Sequence, residues 1–221
     1  MKAKLIRKFK LTPDVYELIF EFDWNLSSLA WQFITFILPS WLRRAYSIAF
    51  QNDSKFEFII KRLEDGRWWS KEICDLELWT SLDFIWPVWH FVLKETPTNK
   101  LFIGTGTWFA PLYFQIKKAL ELWLKSNLHF IFWVRHLEDI FYESELEKIK
   151  NENSNFDYNL YLSREESQKY MKWYVTDFLN KENVANFEEF YICGSPAMVE
   201  DSRKKLLELG ILEDKIYFEK Y

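Results

Sequence analysis

Glycine is what this chain lacks most: there are 5 in 221 residues, where the usual share of about 7% would supply roughly 15. Unless another residue stands in, few positions are left for left-handed turns or close backbone contacts. Cysteine is nearly absent too. Cys74 and Cys193 are the whole complement, too few for a Cys-held iron–sulfur cluster or a disulfide framework. There is no excess of positive charge: Lys+Arg 29 against Asp+Glu 33 gives a net charge of −4, which argues against a nucleic-acid partner. No long apolar run occurs. The stretch from Leu29 to Leu42 is broken by Gln32, Thr35, Pro39 and Ser40, whereas a spanning helix needs about 20 mostly apolar residues. Met1-Lys2-Ala3-Lys4 runs into alternating residues rather than a signal-peptide core. These absences predict a soluble cytoplasmic protein with no membrane partner.

What is present is an apolar, aromatic chain. Hydrophobic residues make up 49%, charged residues 28%, and there are 12 Trp, enough for a substantial core and incompatible with disorder. The first half is strand-like. Lys4 to Lys10, Val15 to Phe22, Gln32 to Leu38, Ala45 to Phe50 and Phe56 to Lys61 are short and turn-bounded, with one helix predicted over Ser70 to Leu78. Such spacing predicts an antiparallel barrel or sandwich. The polar segment Glu95-Thr96-Pro97-Thr98-Asn99-Lys100 marks a boundary. After it the rhythm becomes strand–helix. Strands are predicted at Leu101 to Gly104, Leu128 to Val134, Phe156 to Leu162, Phe190 to Cys193 and Ile216 to Phe218. Helices are predicted at Pro111 to Leu124, Asp139 to Lys150 and Pro196 to Leu209. Alternation of this kind builds a parallel sheet with helices on both faces. The predicted domains are therefore 1–97, a β-barrel, and 98–221, an α/β unit.

Four motifs carry chemistry. Arg44-Ala45-Tyr46-Ser47 offers a guanidinium for phosphate, a ring for stacking and a hydroxyl, although an ordinary edge strand reads the same way. Ile60-Lys61-Arg62, followed by Gly66-Arg67-Trp68-Trp69-Ser70 before a helix, suits an anion or a charged hairpin. Gly104-Thr105-Gly106-Thr107-Trp108-Phe109-Ala110-Pro111 lies between a strand and a helix, the setting of a dinucleotide-binding turn. Cys193-Gly194-Ser195-Pro196-Ala197-Met198 ends another strand, where a thiol either meets ligand or is simply buried. His90, His129 and His136 lack the spacing of a metal site or triad and read as structural.

Taken in order, these motifs resemble the ferredoxin–NADP reductase-type flavoproteins over nearly the whole chain. The resemblance implies a Greek-key FAD-binding barrel followed by a parallel-sheet NAD(P)-binding domain. It implies hydride transfer from NAD(P)H to FAD, with electrons passing to a separate acceptor protein or small molecule. It places Arg44 on the FAD phosphates, Ala45 and Tyr46 against the flavin and Ser47 near its N5. Ile60, Lys61 and Arg62 lie on a second FAD strand, and Trp68, Trp69 and Ser70 on the pyrophosphate turn. Gly104, Thr105, Gly106, Thr107, Trp108 and Pro111 belong to the nucleotide turn. Cys193, Gly194 and Met198 lie beside the nicotinamide. Glu219-Lys220-Tyr221 resembles a Glu-x-Tyr ending in which Glu219 tunes the site and the Tyr221 ring covers the flavin. Ser163, Arg164, Lys172 and Tyr174 resemble residues that hold the 2′-phosphate, favouring NADP with NAD as the alternative cofactor. A reductase subunit of a larger complex, or a non-catalytic flavin- or nucleotide-binding module, are the alternative readings.

The departures from that pattern are nearly all of one kind. Trp31, Trp79, Trp86, Trp89, Trp108, Trp133 and Trp173 stand where the family carries glycine. Adding the Trp count to the Gly count restores the usual glycine share. The expectation is that UGA codons, read as glycine by the source, are written here as tryptophan.

Overall fold

The computed structural model describes residues 1–23, 32–64, 69–89, 91–122, 126–172 and 174–220, with the side chains at 69, 86–89, 171 and 175 outside that description. Trp24, Trp31, Trp68, His90, Trp123, Trp173 and Tyr221 therefore lie outside the described residues, and Trp69, Trp86 and Trp89 are described by backbone alone.

The first half supplies β1 (Lys2–Lys10), β2 (Val15–Phe22), β3 (Gln32–Ile37), β4 (Arg43–Ser47), β5 (Phe50–Asn52), β6 (Lys55–Lys61), α1 (Trp69–Asp75) and β7 (Ser81–Trp89). The strands form one antiparallel, barrel-like sheet in the order β4-β3-β7-β1-β2-β6-β5. Alternation drives it: in β3, Gln32, Ile34 and Phe36 are buried and their neighbours half-buried. Phe36 packs against Phe20 (4.7 Å between ring centroids) and Phe58 (5.1 Å), forming an aromatic centre.

Two local features of the barrel half rest on contacts that no sequence pattern shows. Trp86-Pro87-Val88-Trp89 carries turn residues, yet it belongs to β7. The β3–β7 register shifts between Phe33↔Val88 and Thr35↔Ile85, so β7 carries one extra residue there. A bulge of this sort accommodates proline within a strand. The helix predicted to reach Leu78 stops at Asp75. The Lys8 ammonium donates to the carbonyls of Cys74 (3.1 Å) and Leu76 (2.9 Å), closing the helix end.

The second half contributes β8 (Lys100–Thr105), α2 (Phe109–Glu121), β9 (Leu128–Val134), α3 (Glu143–Glu152), β10 (Phe156–Leu162), β11 (Met171–Lys172), α4 (Val175–Phe178), α5 (Lys181–Val184), β12 (Glu189–Gly194), α6 (Pro196–Glu208) and β13 (Ile216–Lys220). All strand pairs are parallel, in the order β11-β10-β9-β8-β12-β13. Both faces are covered. Phe102 and Phe130 pack with residues of α2, while Leu101, Ile103 and Ile192 pack with residues of α6. The helix predicted from Asp139 begins only at Glu143, because Tyr142 holds a left-handed φ of 59°.

At the base of the second sheet Lys100 and Glu189 face each other in register. Their side chains are 0% and 3% exposed, with Nζ–Oε2 at 3.2 Å. Thr96 and Tyr191 hydroxyls donate to the carboxylate (2.6 and 2.9 Å), and the Thr96 carbonyl accepts from Nζ at 2.7 Å. Removing one partner strands a buried charge, so Lys100→Met should destabilise by about 3–5 kcal/mol. The double change Lys100→Met/Glu189→Leu should recover most of that loss in a urea melt.

The halves meet where the Tyr142 hydroxyl donates to the Glu17 carboxylate. Glu57 on β6 lies nearby. Burial, then repulsion from Glu17, pushes its carboxyl up to about 7, while Lys117 and Arg7 oppose the rise. The folded state therefore holds a proton on Glu57 that the unfolded chain releases near the ordinary carboxylate value. Stability should fall as pH rises from about 5 to 7. Glu57→Gln should flatten that fall in chemical denaturation at pH 5, 6, 7 and 8; an unchanged slope would remove Glu57 as its source.

Candidate functional site

The order of the second sheet reverses at β8. The chain winds outward through β9 and β10, then returns to place β12 on the other side of β8. A crevice opens beyond the carboxyl ends of strands at such a switch point. Here it is a cavity of about 620 Å³, and the barrel closes its other side.

Gly104, next to last in β8, and Gly194, last in β12, are glycine for a steric reason. A Cβ on Gly104 would lie 2.7 Å from Leu112 Cδ1. A Cβ on Gly194 would lie 2.0 Å from Met198 Cε and 3.2 Å from Thr105 Oγ1. Beyond Gly104 the chain turns through Gly106, with φ +52°, into a 3-10 turn and then α2. Beyond Gly194, the Ser195 hydroxyl accepts from the Met198 N–H at 3.4 Å and caps α6. Two helix starts therefore reach the same edge, and the positive end of a helix dipole favours an anion.

The barrel contributes β4 and β6. Arg44, Ala45 and Tyr46 line the cavity from one, Ile60 and Lys61 from the other, with Ser70 from α1. The Tyr46 hydroxyl is buried with no hydrogen-bond partner among the described residues. Burial pushes its proton affinity well above the ordinary phenol, so it stays neutral. Thr105 to Trp108 line the opposite side, with Ser163, Arg164 and Tyr174 beside them. Cations outnumber anions: Arg44, Lys61, Arg135 and Arg164 meet a single carboxylate, Asp139. Lys61 is paired with Asp14 at 2.6 Å. A cationic lining suits an anionic ligand.

Other residues singled out by sequence lie away from the cavity lining. Arg62 donates through Nε and Nη2 to both oxygens of Asp75 (2.8 and 3.0 Å) and also pairs with Glu64. Lys172 pairs with Glu166 at 2.9 Å. Cys193 is wholly buried in β12, opposite Glu219, and burial pushes its thiol well up. Ser47, Pro111 and Met198 are not among the lining residues, and Pro111 and Met198 are buried in α2 and α6. His129 and His136 are held structurally: His129 bonds Asn159 at 2.8 Å, and His136 lies 3.8 Å from Glu165.

Sequence reading passed over Arg135, Asp139 and Phe141, all of which line the cavity. The signal was available. Arg135 follows the end of β9, the neighbour of β8, and the strand-end rule applied to Gly104 and Gly194 reaches it equally.

Comparison with known proteins agrees with this architecture. The family model described as oxidoreductase NAD-binding domain matches residues 102–204. The chain is 29% identical over 200 residues to a toluate 1,2-dioxygenase electron transfer component of Pseudomonas putida, covering 89% of this chain and 60% of that protein. It is also 29% identical over 237 residues to ferredoxin–NADP reductase B of Sorangium cellulosum, covering 100% of this chain and 97% of that one. The chain thus spans three fifths of the first relative and nearly all of the second. An Amycolatopsis cytochrome P450 reductase superposes with a TM-score of 0.91 at 23% identity, covering 100% of this chain and 69% of that one, a likeness of fold. With its antiparallel barrel, its parallel sheet and the matched NAD-binding segment, the chain resembles oxidoreductases of the ferredoxin–NADP reductase type in both sequence and fold.

Proposed function

We propose that the chain binds FAD between β4, β6 and α1, binds NAD(P)H at the β8 and β12 ends, and passes electrons from the nucleotide to a separate acceptor. The observation that carries this reading is the convergence of the barrel's Arg44 and Tyr46 with the Thr105–Trp108 turn on one cation-rich cavity. Bound flavin would supply the hydride acceptor and the outlet for electrons. The chain's own residues supply placement. Arg44 offers a guanidinium to phosphate, Tyr46 a neutral ring and hydroxyl, and Ser70 a hydroxyl near the start of α1. Thr105, Gly106 and Thr107 present backbone and hydroxyl donors at the start of α2. Ser163 and Arg164 offer a 2′-phosphate a hydroxyl and a cation, which favours NADP over NAD. Arg135 and Arg164 make no side-chain hydrogen bond or ion pair among the described residues, so their charge is available to a ligand.

Ser47, Cys193, Glu219 and Tyr221 are proposed to act at the hydride-transfer face. Cys193 does so from within β12 as a neutral thiol, one residue from the turn that reaches the cavity. The domain division at 97/98 is supported by the last barrel strand ending at Trp89 and the first parallel strand starting at Lys100. No helix among the described residues is long and apolar enough to cross a membrane; a cytoplasmic location is proposed alongside.

Two measurements test the reading. The purified protein should retain FAD, and Arg44→Ala should weaken that binding about tenfold or more, the worth of a charge-assisted hydrogen bond. Equal retention would count against Arg44 as the phosphate ligand. In calorimetric titration, 2′,5′-ADP should bind better than 5′-AMP, and Arg164→Ala should erase most of that difference while leaving 5′-AMP unchanged. A parent protein that does not distinguish the two ligands would refute the NADP assignment and leave the flavin assignment standing.

A further inference from the structure

The tryptophans whose side chains are described are Trp41, Trp79, Trp108 and Trp133. Two occupy turns whose geometry belongs to glycine. The hairpin between β3 and β4 is closed by the Trp41 N–H to the Leu38 carbonyl (2.8 Å) and the Leu38 N–H to the Leu42 carbonyl (2.9 Å). Pro39-Ser40-Trp41 is thus a three-residue loop. A common form of such a loop is a β-turn followed by one left-handed residue, the usual seat of glycine. Trp41 has φ 64° and is 85% exposed. In the second turn the Thr80 N–H bonds to the Glu77 carbonyl at 3.2 Å, which makes Trp79 the third residue. Its φ of 74° is the positive value that a type II turn demands at that position, where glycine is favoured. It is 66% exposed. Neither ring is buried, so packing does not offset the left-handed strain.

The other two line the cavity. Trp108 sits in the turn between β8 and α2, where backbone donors would face a diphosphate. Trp133 is the next-to-last residue of β9 and pairs in register with Thr105. Its Nε1 is buried without a hydrogen-bond partner among the described residues, and its ring meets the edge of Tyr174 at 5.5 Å. A buried indole donor with no partner among the described residues departs from the rule that buried donors are paired.

We propose that the turns at positions 41 and 79 are built for glycine, that the functional protein carries glycine there and at positions 108 and 133 because its UGA codons are read as glycine, and that the rings of Trp108 and Trp133 occupy space belonging to the dinucleotide. The cavity part of the proposal rests on the nucleotide-binding reading above. The turn part does not depend on it.

The experiment has three arms. In thermal melts, Trp41→Gly and Trp79→Gly should each melt about 2–4 °C above the matching Trp41→Ala and Trp79→Ala variants. Alanine also loses the ring but keeps the left-handed strain. In calorimetric titration of NADPH, Trp108→Gly/Trp133→Gly should bind at least tenfold tighter than the parent, whereas Trp108→Phe/Trp133→Phe should show no such gain. Nucleotide sequencing should find UGA at all twelve Trp codons, and peptide masses from the native source should report glycine there. Glycine variants that melt at or below their alanine counterparts, or UGG at these codons, would overturn the proposal. Full FAD retention with no NADPH gain in the glycine double variant would overturn its cavity part alone. Loss of FAD and dinucleotide binding in every variant, with the turn stabilisation intact, would overturn the functional reading and leave the glycine turns standing.

Discussion

The β8–β12 ladder is the constraint on which the second half and its site depend. At one end Lys100 and Glu189 are locked in register with almost no exposure, so slippage by one residue would bury an unpaired charge. At the other end Gly104 and Gly194 lack the Cβ atoms that would collide with α2 and α6 residues. Pinned at both ends, the two strands fix where the helices begin. Because the strand order reverses between them, the helices depart to opposite sides and leave a crevice.

Charge is distributed unevenly about that crevice. The whole chain is acidic by four charges, yet four cations face the cavity against one carboxylate. A global acidic balance opposes polyanions, while a local cationic pocket favours one compact anionic ligand. The barrel side adds a hydroxyl that burial keeps protonated, on Tyr46. Cationic side chains therefore stand on both the barrel wall and the parallel-sheet wall of the cavity, with Tyr46 on the barrel side.

The contact between the halves has a separate chemistry. Tyr142, in a left-handed conformation of its own, reaches from the start of α3 to Glu17 on β2. Val15, Ala49 and Ile59 of the barrel share a buried cluster with residues of α2 and β8. The cavity walls are therefore set against each other by a continuous core rather than by a linker alone, and Glu57, a carboxyl raised to about 7 by burial and by repulsion from Glu17, lies beside the joint.

The sequence by itself determined the two-part architecture. Period-two alternation in β2, β3 and β6 and the strand–helix rhythm after Lys100 are local signals, and they reflect which face each element must bury. It also determined that Arg44 and Tyr46, Thr105 to Trp108, and Ser163 with Arg164 are residues to watch, because each lies at a strand or turn whose chemistry is written in consecutive residues. Tertiary structure decided the rest. Pro87 entered a strand because a bulge against β3 removes the need for its missing N–H. Arg62 turned toward Asp75, thirteen positions away, and Lys172 toward Glu166, since a cation in reach of a carboxylate pairs with it regardless of motif. Cys193 sank into the core because β12 is covered on both faces. Arg135 joined the site through its place beside β8, a neighbour set by sheet order and absent from any local pattern. The left-handed turns at Trp41 and Trp79 also needed the backbone, because a residue's name does not reveal the dihedral that its turn imposes.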